Sequence, residues 1–415
     1  MRYRVNDQVI LLRMPEKGPG GPFTAYLGAF ADSLSLQGYS MRYLRREVML
    51  AALFSQWLKQ SAVSGNLKPE HSSRFLRYRY RRRQANPDDP GALNRFIEFL
   101  RCKGVIPAAT ILTRQLTPAE RCARAYERYL REDRALAEAT INNYVPFIEK
   151  FIKDRFSDGQ AKLSQLTARD VVGFVQRQAP RLHVKRAKLM TTALRSFCQY
   201  ARFRGEIKLD LAAAVPIVAN WSMTSIPRAI APALIRQLLT SIDRHTAMGR
   251  RDYAIVLLLA RLGLRSGEVV SLELDDIDWI AGRLSVRGKR GQRSEMPIPT
   301  DVGQAIAAYL RHDRPHSTSR RVFLRIKAPI CGFLGSCGIG SIVRHRLQRE
   351  GIDAPTHGAH QFRHGLATEM LRQGASLAEI GAVLGHRHPD TTRIYSKVDL
   401  KALHTLAQPW PGDAR

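Results

Sequence analysis

Apolar positions recur at three- and four-residue intervals through most of this chain, and each such stretch predicts an amphipathic helix. Between positions 23 and about 107, Tyr26, Leu27, Phe30 and Leu34 form one stripe, and Leu50, Leu53, Phe54, Trp57 and Leu58 form another. Ahead of them, Val9 to Leu12 reads as a short strand-like piece. The Pro15–Pro22 segment that follows, rich in Pro and Gly, cannot continue a helix, so 1–22 reads as an N-terminal arm. Between the helices of the first block lies Arg74–Arg83, a basic run with interleaved aromatics. A second helical block starts near Thr117. Tyr126, Tyr129 and Leu130 make its first stripe; Ile141, Tyr144, Ile148, Phe151 and Ile152 make the next. Thr167, with Asp170 three residues on, predicts an N-capped helix start, and the block ends near Gly205.

The two blocks resemble each other. Ala92-Leu93-x-x-Phe96-x-x-Phe99-x-Arg101-x-x-Gly104-x-Ile106 matches Ala193-Leu194-x-x-Phe197-x-x-Tyr200-x-Arg202-x-x-Gly205-x-Ile207 position for position. Phe54-x-x-Trp57-Leu58 has a looser counterpart in Ile148-x-x-Phe151-Ile152. The pattern reads as the duplication of a small helical module. After a linker-like stretch over 212–227, bounded by Pro216 and Pro227, the texture changes. An apolar helix over 252–262 is closed by Gly263. Two short strands then flank the Gly288–Gly291 turn, and 302–310 is helical again. The organisation expected is therefore an arm (1–22), an extra helical module (23–115), a second helical domain (116–215) and a last, largest domain (227–415). The fold class is mainly α with a small antiparallel sheet.

Composition sharpens this picture in one respect. The chain has 415 residues, with 44% hydrophobic and 25% charged positions, which is ordinary for a folded protein of about two to three domains. Its charge is not ordinary: 66 Lys and Arg face 36 Asp and Glu, a formal net charge of +30. So large an excess, mostly Arg, points to a polyanionic partner, with nucleic acid first and an acidic membrane surface second. The apolar run 254–260 falls far short of the roughly 20 residues of a membrane span, and no signal peptide is visible. The expected setting is cytoplasmic, in association with the nucleoid. The 5 cysteines show neither CxxC spacing nor a paired His, and read as reduced, buried thiols rather than metal ligands or disulfides. No GxxxxGK[ST] loop suggests ATP.

Four clusters in the last domain carry candidate chemistry. Gly263-Leu-Arg265-Ser-Gly-Glu268 places an arginine at a helix junction, with Ser266 as the expected cap. Lys289 stands at the hairpin tip. In His357-Gly-Ala-His360-Gln-Phe-Arg363-His364, His360 and Arg363 share a face if the stretch is helical. The fourth cluster runs from Leu384-Gly-His386 to Tyr395, with Asp390–Thr392 expected as a capped helix start. Any one cluster is compatible with ordinary packing or surface charge. Together they supply the parts for phosphoryl transfer to a tyrosine: two guanidinium forks, histidine donors, a lysine acid and a phenol nucleophile.

The order and local context of these clusters resemble the tyrosine recombinase (phage integrase) family, over about 227–406. The resemblance implies a catalytic set of Arg265, Lys289, His360, Arg363, His386 and the nucleophile Tyr395, with Glu268 supporting the first arginine. Phe362 stands where Leu is usual in the family's His-x-Leu-Arg-His motif; both are apolar packers. The block from about 117 to 210 resembles, less specifically, the family's helical, SAM-like core-binding domain, and 23–107 lies outside the minimal family plan. The implied chemistry is attack by Tyr395 on a DNA phosphate, a 3′-phosphotyrosyl link and rejoining by a partner strand's 5′-hydroxyl, with no metal, ATP or other cofactor. In this reading His360 accepts the tyrosine proton, Lys289 protonates the leaving oxygen and His386 donates to a non-bridging oxygen. His357, His364 and His388 are assigned to capping, packing or backbone-phosphate contact. The implied partners are double-stranded DNA and further copies or partner recombinases, four subunits on paired sites, with the segment after Tyr395 as the exchanging element. Arg74, Arg77, Arg79, Arg81, Arg82 and Arg83 either track a DNA backbone or form a solvated face. Two other readings stand beside this one: DNA relaxation of the type IB topoisomerase kind, and a catalytically silent DNA-binding protein on the same fold. The extra N-terminal module and the length favour a mobile-element recombinase.

Overall fold

Strands β1 (Arg2–Val5) and β2 (Gln8–Leu11) pair antiparallel, Arg2 opposite Leu11 and Val5 opposite Gln8. The predicted arm thus opens with two paired antiparallel strands rather than a lone strand. The computed structural model describes residues 2–5, 8–11, 20–61, 67, 69–107, 116–156, 160–218, 226–288, 293–386, 388–398 and 403. Two compact units result: 110–224 forms one, and 1–109 together with 225–415 forms the other.

The first helical module comprises α1 (Leu27–Leu36), α2 (Met41–Gln60), α3 (Pro69–Tyr80) and α4 (Asp89–Cys102). Its core gathers Leu27, Phe30, Phe54, Trp57, Phe75 and Phe96. The basic run expected between helices is itself largely helical, since Arg74 to Tyr80 belong to α3. Arginine is a good helix former, and buried Phe75 anchors the helix against Phe54 and Trp57, with ring centroids 5.2 and 5.8 Å away. The module touches the last domain where the Ile330 N–H donates to the Gln37 carbonyl at 2.8 Å.

The second unit holds α5 (Pro118–Glu132), α6 (Glu138–Phe156), α7 (Ala168–Gln178) and α8 (Val184–Phe203). The cap predicted at Thr167 is present: its hydroxyl accepts from the Asp170 N–H, and the Asp170 carboxylate accepts from the Thr167 N–H at 2.9 Å. A fuller capping box, Thr117 with Glu120, starts α5. The matched repeat positions behave alike. Ala92, Leu93, Phe96 and Ile106 are buried in one core, and Ala193, Leu194, Phe197 and Ile207 in the other. Both helices end at a glycine with positive φ, Gly104 at 69° and Gly205 at 72°.

In the last domain, α9 (Pro232–Ser241), α12 (Thr300–His312), α13 (Ser336–Arg349) and α14 (His360–Arg372) surround α10 (Ala247–Arg261), whose residues 254–260 are all buried. Helix α11 (Ser266–Ser271) leads to a sheet ordered β3 (Ile277–Asp278), β4 (Arg283–Arg287), β5 (Arg293–Pro297), antiparallel throughout. Leu284 and Val286 turn the inner face of β4 into the core. Asp252 ties α10 to α13: one carboxylate oxygen accepts from Arg251 at 2.7 Å, the other from Arg346 at 2.7 Å, all three buried. Phe362 is buried in the same core, a packing residue as expected. Short helices α15 (Leu377–Val383) and α16 (Pro389–Thr392) complete the domain. Cys198 is buried, but Cys102 and Cys337 are exposed, against the expectation of buried thiols; each ends or begins a helix at the surface. Among the described residues no helix is long and apolar enough to cross a membrane.

Candidate active site

Three of the four sequence clusters meet at Arg363. Helix α14 begins at His360, so His360, Arg363 and His364 occupy its first turns. Arg363 is only 3% exposed. Its Nη1 donates to the Gly263 carbonyl at 2.7 Å, and its Nη2 donates to the Leu384 carbonyl. One guanidinium therefore joins the end of α10, the start of α14 and the end of α15. Burial, and then the charge of Arg265, pull the Arg363 pKa down to about 10.

Arg265 departs from the expected local geometry. Arg265, not Ser266, holds the N-cap position of α11, and Ser266 is the first helical residue. Glu268, three residues into the helix, reaches back to the cap residue itself. Its carboxylate takes the Arg265 backbone N–H at 2.7 Å and the Arg265 Nη1 at 2.6 Å. Helix start and guanidinium are thus fixed by one buried carboxylate, worth more than a surface pair because it is charge-assisted and partly desolvated.

Tyr395 lies on a 3₁₀ turn, Arg393–Val398, directly after α16. It is 1% exposed and packs with Ala367, Ile380 and Leu384. Burial raises the pKa of its phenol, against the opposing pull of Arg363 and Arg265. Its hydroxyl lies 3.1 Å from His364 Nδ1, and the His364 ring meets the His360 ring edge-on at 4.5 Å. Burial, then His360 and Arg363, lower the His364 pKa to about 4. His386 is also lowered to about 4, by burial and then by Arg363 and Arg265, and its Nδ1 pairs with Thr392 Oγ1 at 2.8 Å. His360 is lowered by the protein around it, then by Arg363 and Arg265. These shared charge effects place Arg265, His360, Arg363, His386 and Tyr395 in one electrostatic cluster. At neutral pH it holds two cations, neutral imidazoles and a protonated phenol, a set suited to binding an anionic phosphate and attacking it. Lys289 lies outside the described residues.

Two local readings change. Asp390–Thr392 does not form a side-chain-capped start. Helix α16 begins at Pro389, a residue suited to a first helical position, with His388 at the cap position and no side-chain cap bond there. Asp390 instead accepts from Arg393 at 3.0 Å, and buried Thr392 serves His386. His364, assigned to capping, packing or backbone-phosphate contact, has the Tyr395 hydroxyl as its partner. Its signal in the sequence was its place four residues after His360, on the same helical face. The carbonyls of Gly263 and Leu384 have no sequence signal, since every residue carries one.

The basic run of the first module divides. Arg79 pairs with buried Asp89 at 3.1 Å, and Arg82 lies over the Tyr78 ring at 4.2 Å. Exposed Arg74, Arg77 and Arg81 line a cleft of about 520 Å³ with Trp57 and Tyr78. Arg83 is exposed beyond the end of α3.

Comparison with known proteins gives two family matches. Residues 229–401 match the phage integrase family, and 123–205 match the phage integrase N-terminal SAM-like domain. The chain is 55% identical, in an alignment of 416 positions that covers 100% of each chain, to an integrase/recombinase of Sinorhizobium fredii designated y4rA. It is 30% identical over 284 residues to the tyrosine recombinase XerC of Histophilus somni, covering 67% of this chain and 92% of that one. Its fold is similar to the crystal structure of the XerH site-specific recombinase bound to a palindromic difH substrate in a post-cleavage complex. The TM-score is 0.56 at 19% identity, over 75% of this chain and 94% of the other.

Proposed function

The chain belongs to the phage integrase family of tyrosine recombinases, DNA strand-transfer enzymes, and from that premise we propose how its own residues divide the work. The observation that carries the reading is the convergence of Tyr395 with two guanidiniums and three histidines of lowered pKa around Arg363. Tyr395 attacks the scissile phosphate. A bond forms between the phenolic oxygen and phosphorus, the bond to the 5′-oxygen breaks, and the 5′-hydroxyl leaves. A partner strand's 5′-hydroxyl reverses the step and rejoins the backbone. A free phenol has a pKa near 10 and burial raises this one, so the attack depends on a proton acceptor and on cations that stabilise the growing negative charge.

Arg265 and Arg363 clamp the non-bridging oxygens. Glu268 holds the first of them; the Gly263 and Leu384 carbonyls hold the second. With the Thr392 hydroxyl donating to His386 Nδ1, the other ring nitrogen is an N–H donor for the phosphate. Lys289 is the acid for the leaving oxygen. The reaction on paired duplex sites uses four subunits, homomeric or with partner recombinases. The helical module ahead of residue 123, outside both family matches, points to the integration or transposition of a mobile DNA segment.

A nicked suicide substrate tests this. Duplexes from the DNA flanking the gene are incubated with wild type and with Tyr395→Phe, in EDTA. The expected result is a covalent protein–DNA adduct with wild type alone. Specific binding of the same DNA without any adduct would refute strand cleavage. Arg363→Ala should slow adduct formation by about 10²–10³, the usual loss for one donor to a developing oxyanion.

A further inference from the structure

We propose that His364, rather than His360, is the residue that takes the proton from Tyr395. The inference rests on the reading of Tyr395 as the nucleophile and adds a residue to it. The phenolic oxygen is the reacting atom, and His364 Nδ1 lies 3.1 Å from it. His360 stands one ring further out, its edge against His364. Tyr395 is 1% exposed, so solvent offers little competition for its proton. His364 is fixed on α14 directly after Arg363, so base and phosphate clamp share one rigid element, against which Tyr395 packs from the turn after α16.

With the Tyr395 hydroxyl donating, Nδ1 is the accepting nitrogen and Nε2 carries the proton of the neutral ring. When the phenolic oxygen bonds to phosphorus, its proton passes to Nδ1, the ring becomes a cation, and the 5′-oxygen leaves with a proton from the acid on the other side. In the next half-reaction the ring returns its proton to the departing phenol. The surroundings also make this base responsive to substrate. Burial, His360 and Arg363 depress its basicity in the free enzyme. An anionic phosphate held by Arg265 and Arg363 cancels part of that positive field and strengthens the base when it is needed.

The test measures single-turnover adduct formation at saturating DNA, alongside DNA affinity, for wild type, His364→Ala, His364→Asn and Lys289→Ala. Each is run on a normal substrate and on one with sulfur in place of the leaving 5′-oxygen. A thiolate leaves without a proton, so sulfur relieves a missing acid and not a missing base. Asn keeps a hydrogen-bond acceptor near the phenol but cannot take a proton, and it preserves the local packing better than Ala. Expected are losses of about 10²–10⁴ for both His364 variants, the range for general acid–base groups, with unchanged DNA affinity and no recovery on sulfur, while Lys289→Ala recovers. Near-wild-type rates in both variants would overturn the assignment. A near-wild-type rate in His364→Asn alone would reduce His364 to a hydrogen-bond partner and overturn proton transfer. Recovery of the His364 variants on sulfur would move the residue to the leaving-group side. An absence of adduct with wild type on both substrates would overturn the tyrosine nucleophile itself, and His364's role with it.

Discussion

At Arg363, burial and a neighbouring guanidinium both work against the charge, yet a pKa of about 10 leaves it a cation at any physiological pH. Two backbone carbonyls hold it in place, so in the proposed role as a phosphate clamp its charge would be positioned in advance and cost no reorganisation during the reaction. The nearby histidines feel the opposite consequence. His364 and His386 are held to about 4, against an ordinary value of 6.5. The unfolded chain protonates both near 6.5; the folded chain does not until about 4. Between those values the unfolded state binds more protons, so folding stability falls as pH drops from 6.5 to 4 and is retained above 6.5. Thermal unfolding followed by circular dichroism at stepped pH should show that fall. Carboxylates titrate in the same window, so the informative quantity is the difference from a His364→Asn/His386→Asn variant, whose midpoint should drop less. An identical acid profile in the two proteins would show that these rings are not held neutral by the fold.

The junction between α10 and α11 decides where the first arginine lies. Gly263 has φ of +61°, a conformation that costs a residue with a Cβ about 1–2 kcal/mol. A Cβ there would also come within 2.9 Å of a Leu384 methyl and 3.0 Å of a Leu366 methyl. The Gly263 and Leu384 carbonyls both serve Arg363, so the strain would reach the proposed phosphate clamp directly. Gly263→Ala should lower the unfolding midpoint by a few degrees. It should also slow adduct formation at saturating DNA. A variant that loses stability while keeping the wild-type rate would show that the junction supports folding alone. The sequence placed a helix end at this glycine, but it named Ser266 as the following cap. Serine is the commoner capping residue; the resemblance tied Glu268 to Arg265, but only the structure shows its carboxylate on the Arg265 backbone N–H as well as on the guanidinium.

Over the whole molecule the +30 charge is unevenly committed. Arg79, Arg95, Arg251, Arg287 and Arg346 are engaged by carboxylates, whereas Arg74, Arg77 and Arg81 stand exposed along one cleft of the first module. If that cleft tracks a DNA backbone, each phosphate neutralised releases about 0.9 counterion. The combined Arg74→Ala, Arg77→Ala and Arg81→Ala variant should then reduce the slope of log affinity against log salt by about 2–3, measured by fluorescence anisotropy on duplex DNA. An unchanged slope would mark the three as a solvated face.

Read alone, the sequence determined the helical blocks, the hairpin after Ile277, the repeat shared by 92–106 and 193–207, the Thr167 cap and the family to which the last domain belongs. Those features rest on local periodicity and on residue types at fixed spacing, which a linear chain displays directly. Three things were decided only by tertiary structure. Arg363 bonds to the carbonyls of Gly263 and Leu384, His364 sits on Tyr395, and the basic run divides into paired and exposed arginines. Backbone carbonyls are identical at every position. A histidine's partner 31 residues away, like an arginine's choice between carboxylate and solvent, depends on which surfaces pack together. Those contacts exist only once the cores around Phe75 and around Leu384 have formed.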